Sequence, residues 1–255
     1  MHQRFASVLV FISLIFSCMG TPLKCQAREL LVVGTVFGHV FECSAADKCG
    51  GLGVDVIRAI ARQTGDTVRF KLYPWARAQA MVENGQADIL LGAYKTQERE
   101  RHFAFSERPF YQDTMVFYAR AGDTTGWDGN YASLKGRRVA AVGAWVYGKD
   151  FDQARADQKI PEAVQLENGI LMLSRGRIDL LATNLRNTEA LLPVLHLSGA
   201  IKPLKPVLDI QNGYLAFPRR QDHDALRGNF DRVFRQMVDT GELARLGRLH
   251  QVAIP

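Results

Sequence analysis

The chain has 255 residues, of which 47% are hydrophobic and 23% are charged, and its formal net charge is +6. A hydrophobic share of that size excludes a disordered chain and is sufficient for one large domain or two modest lobes. The positive charge is spread through the sequence without a polybasic tract, which argues against nucleic-acid binding and predicts only weak attraction of small anions.

The first 27 residues differ from the rest and predict a secretory signal peptide. Arg4 provides a basic start, Val8–Phe16 is an apolar segment, and Cys25–Ala27 forms a small-residue cleavage site. The apolar segment is too short to span a membrane. Cys18 offers an alternative as a lipid-attachment site, but the phenylalanine two residues before it fits a lipobox poorly. We therefore expect cleavage after Ala27 and export to the periplasm.

Export also decides how the cysteines are interpreted. Removal of the signal peptide leaves Cys43 and Cys49, which lie in a predicted loop with five residues between them. In an oxidising compartment such a pair is expected to form a disulfide. His39 is the single further metal ligand nearby, which is too few for a zinc site. The sequence thus predicts a Cys43–Cys49 disulfide, with no metal and no cofactor.

The first half of the mature chain predicts strands that alternate with helices. The predicted strands, which are apolar or alternate apolar with polar residues, are Glu29–Phe37, Thr67–Tyr73 and Ala87–Leu91. The predicted helices, separated from the strands by Gly or Pro, are Leu52–Thr64, Trp75–Glu83 and Gln97–Arg101. This order implies parallel strands with right-handed crossovers in an open sheet that is covered by helices.

The pattern restarts after Ala121–Gly129, a polar stretch rich in Gly and Thr. The predicted strands around this boundary and beyond it are Asp113–Arg120, Val139–Val142, Ala163–Leu166, Ile178–Ala182 and Gly213–Phe217, with an edge element at Ile201–Leu208. The predicted helices are Val146–Asp157, Gly169–Arg175, Arg186–Leu195 and Asp222–Leu249, the last interrupted at Gly241. The sequence therefore predicts an α/β fold with two similar halves.

The segment Gly92–Tyr111 carries the clearest sign of a binding site. A buried strand that ends at Gly92 can turn sharply, and Thr96 is placed to cap the following helix by accepting a hydrogen bond from a free backbone N–H. Arg99 then lies in the first helical turn, at a strand-to-helix corner where open α/β sheets bind ligands. A guanidinium there suits a planar carboxylate. Arg101, by contrast, is expected on a solvated helix face.

The spacing Gly-x-x-x-Thr-x-x-Arg, followed by Phe-Ser-x-x-Pro-Phe-Tyr, resembles the signature of the family 3 extracellular solute-binding proteins, the periplasmic receptors typified by the polar amino-acid binders. The resemblance covers essentially the whole mature chain. It implies a two-lobed, type II-like periplasmic binding protein in which each lobe is an open sheet flanked by helices and two strands form a hinge. Lobe 1 would comprise residues 28–118 and 214–255, and lobe 2 residues 119–213.

The resemblance also assigns candidate ligand-binding residues, which are Arg99, Trp75, Thr96, Tyr94, Gly92, Asn184, Phe37, His39 and Arg77. In the family the arginine that matches Arg99 holds the carboxylate of the ligand, and an aromatic residue near Trp75 stacks on the ligand. Tyr94 is bulkier than the small hydroxyl residues that are common there. A core position remains the alternative for Trp75, a plain loop residue for His39 and a surface charge for Arg77.

Asn184 departs from the family pattern. The motif that begins at Gly176 usually ends in an aspartate that binds the α-ammonium group of the ligand, whereas a neutral amide supplies no charge. We therefore expect ligands without an α-ammonium group, such as organic, acylated amino or aromatic acids, to compete well. If a standard amino acid binds tightly instead, Glu42 or Asp113 would have to supply the missing charge.

These features predict a monomeric periplasmic receptor that captures a small carboxylate-bearing solute, an amino acid or a related organic acid, for an inner-membrane ABC importer. A ligand-sensing receptor for a signalling partner needs the same closing cleft and remains an alternative. An enzyme similar to the cyclohexadienyl dehydratases, which share this fold, is a second alternative. The sequence contains neither a nucleophile elbow nor a His-Glu-x-x-His helix, so no catalytic residue is assigned.

We expect the exported protein to begin at Arg28 and to carry one disulfide between Cys43 and Cys49. Intact mass spectrometry of periplasmic protein should give the mass of residues 28–255 less two hydrogens, which reduction restores. A lipid attached at Cys18, or two free thiols without reductant, would contradict this prediction.

Overall fold

The computed structural model describes residues 28–44, 48–124, 126–143, 145–163 and 165–255. The predicted signal peptide, including Cys18 and the cleavage site Cys25–Ala27, lies outside the described residues. Within these five ranges no helix is long and apolar enough to cross a membrane. Nor do the same ranges contain a cluster of three or more His, Cys, Asp or Glu side chains that could hold a metal ion.

Strands and helices alternate from the start of the described chain. The first ten are β1 (Glu29–Gly34), β2 (Glu42–Cys43), β3 (Cys49–Gly50), α1 (Leu52–Thr64), β4 (Thr67–Leu72), α2 (Trp75–Glu83), β5 (Ile89–Tyr94), α3 (Arg99–His102), β6 (Phe103–Phe105) and β7 (Tyr111–Arg120). A short 3₁₀ turn, Tyr131–Leu134, precedes the second half. That half contains β8 (Val139–Val142), α4 (Lys149–Asp157), β9 (Glu162–Ala163), α5 (Leu166–Ser174), β10 (Leu180–Asn184), α6 (Leu185–Leu191), β11 (Ile201–Pro203), β12 (Asp209–Pro218), α7 (Gln221–Asp239) and α8 (Glu242–His250).

The larger strands form one curled sheet that runs through two lobes in the order β4-β1-β5-β12-β7-β10-β8-β9. In the first lobe β1 pairs in parallel with β4 and β5, and in the second lobe β8 pairs in parallel with β10 and β9. The long strands β7 and β12 run antiparallel to each other between these two parts. They are therefore the connection between the lobes, in agreement with the two-strand hinge that the family resemblance implied.

Separate buried apolar clusters cover the two parts of the sheet. In the first lobe Val32 of β1, Ile57 of α1 and Phe230 of α7 belong to one buried cluster. Phe117 of the connecting strand β7 and Phe151 of α4 belong to another cluster, in which their rings lie 5.2 Å apart. The C-terminal helices α7 and α8 both contact α1, so the end of the chain returns to the first lobe.

Several local predictions are confirmed. Helices α1 and α2 and strand β8 have the predicted bounds. Gly65 ends α1 in the left-handed conformation, with φ of 80°, and its N–H donates to the carbonyl oxygen of Ala61. Gly241 is likewise left-handed and separates α7 from α8. The predicted disulfide between Cys43 and Cys49 is present and joins the short strands β2 and β3.

Other boundaries were predicted wrongly because sheet pairing extends the strands. Strand β5 does not end at Gly92 but continues to Tyr94, which is paired with Gly213 of β12. Helix α3 consequently begins at Arg99 rather than at Gln97. Strand β12 begins at Asp209, four residues earlier than predicted, because its first half pairs with β7. The strand β6, which pairs with the last residues of β12, was not predicted.

Shortening a core side chain of α7 tests how much the packing of this helix contributes to the free energy of unfolding. Phe230 is 1% exposed and packs edge-on against Phe217, so Phe230→Ala should lower the free energy of unfolding by about 3–5 kcal/mol. The exposed Arg232 on the same helix is the control, and Arg232→Ala should change stability by less than about 0.5 kcal/mol. Urea denaturation of both variants tests this, and equal losses would contradict it.

Candidate ligand-binding site

A small cavity lies between the two lobes. It is lined by Thr35, Phe37, Trp75, Gly92, Tyr94 and Arg99 from the first lobe and by Trp145 and Val146 from the second. Its volume is about 30 Å³, well below the roughly 300–1,000 Å³ of a typical ligand pocket. A solute of ordinary size would therefore need the two lobes to move apart.

Arg99 provides the positive charge of the cavity. Its backbone N–H donates to Oγ1 of Thr96 over 3.1 Å, so Thr96 caps this corner as predicted. Its Nη1 donates to the carbonyl oxygen of Tyr94 over 3.0 Å, and its guanidinium carbon lies 5.5 Å from the ring centroid of Trp75. Burial lowers the pKa of the Arg99 guanidinium, but an arginine stays protonated.

The guanidinium of Arg99 lacks a carboxylate partner within the described part of the chain. The neighbouring Lys95 pairs with Glu100 over 2.9 Å, whereas no described carboxylate forms an ion pair with Arg99. Two contacts, one carbonyl and one aromatic ring, hold the side chain in place without neutralising it. A half-buried cation fixed in this way has strong remaining capacity for a planar anion.

The walls around Arg99 are aromatic. The rings of Phe37 and Trp75 meet edge-to-face with their centroids 5.7 Å apart. Gly92 lets the Phe37 ring lie close to the backbone of β5, because a Cβ atom at residue 92 would lie 3.1 Å from that ring. Its φ of 88° also favours glycine. Tyr111 contacts the same residue of β5 by donating its hydroxyl hydrogen to the carbonyl oxygen of Gly92 over 2.8 Å. The surface beside the guanidinium is thus largely aromatic.

Behind the Tyr94 wall lies a fully buried carboxylate, that of Asp113 on β7. The Tyr94 hydroxyl donates to Oδ2 of Asp113 over 2.6 Å, and Nδ2 of Asn184 donates to the same oxygen over 2.8 Å. Burial and the negative charge of Asp113 raise the pKa of Tyr94 well above its usual value, so the hydroxyl remains a donor. These bonds connect the cavity wall to strands of both lobes.

Arg186 completes the neutralisation of Asp113. Its Nε donates to Oδ1 over 2.9 Å and its Nη2 to Oδ2 over 2.8 Å, a bidentate pair. The Asp113 side chain is 0% exposed and that of Arg186 is 11% exposed. Burial alone would lower the pKa of Arg186, but the charge and hydrogen bonds of Asp113 outweigh it and raise the pKa. The pair is therefore largely removed from water.

The same arginine ties the second lobe to the first. Its Nη1 donates to the carbonyl oxygen of Gly38, in the loop between β1 and β2. The N–H of Gly38 donates to Oδ1 of Asn187 over 3.1 Å. Gly38 belongs to the first lobe, whereas Arg186 and Asn187 lie on α6 in the second. These contacts bridge the lobes beside the cavity.

The remaining predicted site residues lie elsewhere. His39 is exposed, and its N–H donates to Glu42 over 3.0 Å. Arg77 is also exposed and lies over the ring of Tyr73, with 4.8 Å between the guanidinium carbon and the ring centroid. Asn184 is buried, but its amide oxygen caps α6 by accepting from the N–H of Asn187. None of these predicted side chains lines the cavity.

Three residues that line the cavity, Thr35, Trp145 and Val146, were not assigned from the sequence, and neither was Arg186 behind the cavity wall. Arg186 follows the end of the buried strand β10 by two residues, in the same kind of strand-to-helix corner that drew attention to Arg99. Applying that rule to the second half of the chain would have found it. Trp145 follows β8 in the same way.

Removal of the Tyr94 hydroxyl should destabilise the buried cluster. Tyr94→Phe deletes one donor to Asp113 and the acceptor that Nδ2 of Asn184 reaches over 3.2 Å, so the free energy of unfolding should fall by about 1–3 kcal/mol. Tyr73→Phe is the matched control, because within the described chain the Tyr73 hydroxyl forms no hydrogen bond. Denaturant unfolding of the two variants should separate them, and equal stability would contradict the assignment.

Comparisons with known proteins agree with this architecture. The profile of the bacterial extracellular solute-binding proteins, family 3, matches residues 32–250. The probable ABC transporter extracellular-binding protein YckB of Bacillus subtilis is 28% identical over 139 residues, which are 54% of this chain and 48% of that protein. The match thus spans about half the length of that curated relative.

Solved structures resemble the whole two-lobed fold. A histidine kinase sensor domain with similarity to periplasmic binding proteins gives a TM-score of 0.79 at 20% identity, covering 91% of this chain and 100% of that domain. A substrate-binding protein of an ABC uptake transporter from Streptococcus pneumoniae, with bound histidine, gives 0.69 at 16% identity, covering 86% of this chain and 91% of that one. Because the family profile spans nearly the whole described chain, from residue 32 to residue 250, the chain belongs to the bacterial extracellular solute-binding proteins of family 3.

Proposed function

We propose that this chain is a monomeric periplasmic receptor that binds a small carboxylate-bearing solute between its lobes and delivers it to an ABC permease in the inner membrane. The lobes would comprise residues 28–118 with 214–255 and residues 119–213. The observation that carries the proposal is Arg99, a half-buried guanidinium without a carboxylate partner among the described residues, fixed between the aromatic walls of the interlobe cavity.

The ligand carboxylate is expected to take the free edge of this guanidinium. Nη1 is already oriented by the carbonyl oxygen of Tyr94, so the side chain loses little freedom when an anion binds. A flat group attached to the carboxylate can stack on Trp75 or Phe37, whose rings form the adjoining wall. Amino acids and related organic acids carry the required carboxylate, and both remain candidates.

Closure would follow from contacts to both lobes. The cavity is lined by residues of the first lobe and by Trp145 and Val146 of the second, so a ligand that touches both sets favours the closed arrangement. The strands β7 and β12 are the two connections about which the lobes would rotate. The permease partner is inferred from the resemblance to YckB, which is named as a probable ABC transporter binding protein.

A sensory role is the second candidate, and one observation favours it. The histidine kinase sensor domain matches 91% of this chain with its full length. A sensor also closes on its ligand, but it passes the closed state to a signalling partner. Whether the neighbouring genes encode a permease or a kinase separates the two roles.

A thermal-shift screen of amino acids, opines, aromatic acids and organic acids tests the proposal directly. A ligand at about 100 times its Kd should add roughly 2.7 kcal/mol to the free energy of unfolding. A hit should be recovered chemically unchanged after incubation, as expected for a receptor. Stabilisation only by solutes without a carboxylate would contradict the proposal.

Once a ligand is known, Arg99→Ala should remove most of the binding. Loss of a desolvated, charge-assisted pair costs on the order of 2–5 kcal/mol of binding free energy. The exposed Arg101 on the same short helix is the control, and Arg101→Ala should leave the affinity nearly unchanged. Isothermal titration calorimetry measures both, and the reverse ranking would disprove the role of Arg99.

A further inference from the structure

The carboxylate of Asp113 lies behind the part of the cavity wall that Tyr94 forms. It is fully buried, and it contacts the cavity through Tyr94, whose hydroxyl donates to it while the ring lines the cavity. Asp113 was one of two residues that the sequence left as a possible partner for a cationic group of the ligand. The other, Glu42, is exposed and accepts from the N–H of His39.

The carboxylate of Asp113 is already paired with a cation, the side chain of Arg186. The guanidinium of Arg186 forms a bidentate pair with both carboxylate oxygens, and its carbon lies 5.5 Å from the ring centroid of Tyr111. Its remaining donor group reaches Gly38 and Asn187. The guanidinium thus sits on a carboxylate and an aromatic face, the two kinds of group that bind a free organic cation.

We propose that Arg186 is a tethered cation that fills a cation site formed by Asp113 and Tyr111, and that it thereby restricts the cleft to ligands that carry a carboxylate but no cationic group. The inference rests on the proposed function and names its ligand class. Among the described residues that line the cavity, Arg99 is the one with a charged side chain. For an ammonium group of a ligand that enters beside Tyr94, the carboxylate of Asp113 is not free, because both of its oxygens are paired with Arg186.

The tethered cation also contributes to specificity by its position. Because Arg186 contacts Gly38 of the first lobe, its charge is held in place whenever the lobes are closed. A ligand cation would have to displace a side chain that forms bonds to both lobes. A des-amino acid meets no such requirement, since it needs Arg99 and the aromatic walls alone.

The first test uses methylguanidinium, which has the chemistry of the Arg186 side-chain end. Arg186→Ala should leave an empty cation site, so millimolar methylguanidinium should raise its Tm and give a measurable heat of binding. The wild type and the control Arg177→Ala, which changes an exposed arginine of the same lobe, should show neither effect. The double variant Asp113→Asn/Arg186→Ala should also lose the effect. Identical responses of all four proteins would overturn the inference.

The second test compares matched ligand pairs that differ by the ammonium group. The pairs are 3-phenylpropionate with L-phenylalanine, succinate with L-aspartate, and glutarate with L-glutamate. In the wild type the des-amino member of a bound pair should have a Kd at least about tenfold lower than that of its amino acid. In Arg186→Ala the ratio of the two Kd values should shift at least about tenfold in favour of the amino acid. An unchanged ratio would overturn the inference while leaving the proposed function intact.

Two further outcomes are also decisive. If methylguanidinium binds only to Arg186→Ala but no carboxylate binds either protein in the wider screen, the proposed function fails while the cation site is supported. If Arg186→Ala stays unfolded with and without methylguanidinium, the decisive measurement is the ratio of the Kd values of an amino acid and its des-amino partner for the wild type. An amino acid bound more tightly than its des-amino partner then overturns the inference, and the opposite preference supports it.

Discussion

A carboxylate removed from water must be surrounded by donors, and in this protein that requirement falls on Asp113. Its donors are Tyr94 on β5, Asn184 at the end of β10 and Arg186 on α6, which come from both lobes. Loss of one partner would leave a buried charge uncompensated, which is far costlier than loss of a surface ion pair. The position of the second lobe against the first, and hence the shape of the cleft, therefore depends on this cluster.

The cluster makes the two sides of the cleft electrostatically unequal. Arg99 and Arg186 both follow a buried strand at a strand-to-helix corner, one in each lobe. Arg186 finds a carboxylate and becomes part of the scaffold, whereas Arg99 finds only a carbonyl oxygen and the ring of Trp75 among the described residues. The two arginines thus occupy similar strand-to-helix corners but have different roles, because a carboxylate lies opposite Arg186 and none of the described carboxylates pairs with Arg99.

The sequence predicted several local features correctly, whereas contacts between distant residues could not be predicted from it. The bounds of α1, the cap from Thr96 to Arg99 and the Cys43–Cys49 disulfide depend on residues close together in the chain, and all three are as expected. The pairing of Asp113 with Arg186 joins residues 73 positions apart, and sheet order alone brings them together. Periodicity carries no information on such pairs. Asn184 was expected at the ligand because of the family motif that begins at Gly176, whereas its side chain bonds Asp113 and the N–H of Asn187.

The interlobe contacts also affect what a ligand must contribute. A two-state cleft closes when ligand contacts outweigh the cost of bringing the lobes together, and any contact formed by the protein itself reduces that cost. The bonds of Gly38 with Arg186 and Asn187 form such contacts beside the cavity, and they need no ligand. In the proposed receptor role, a solute with a single carboxylate for Arg99 and a small apolar body would therefore be sufficient.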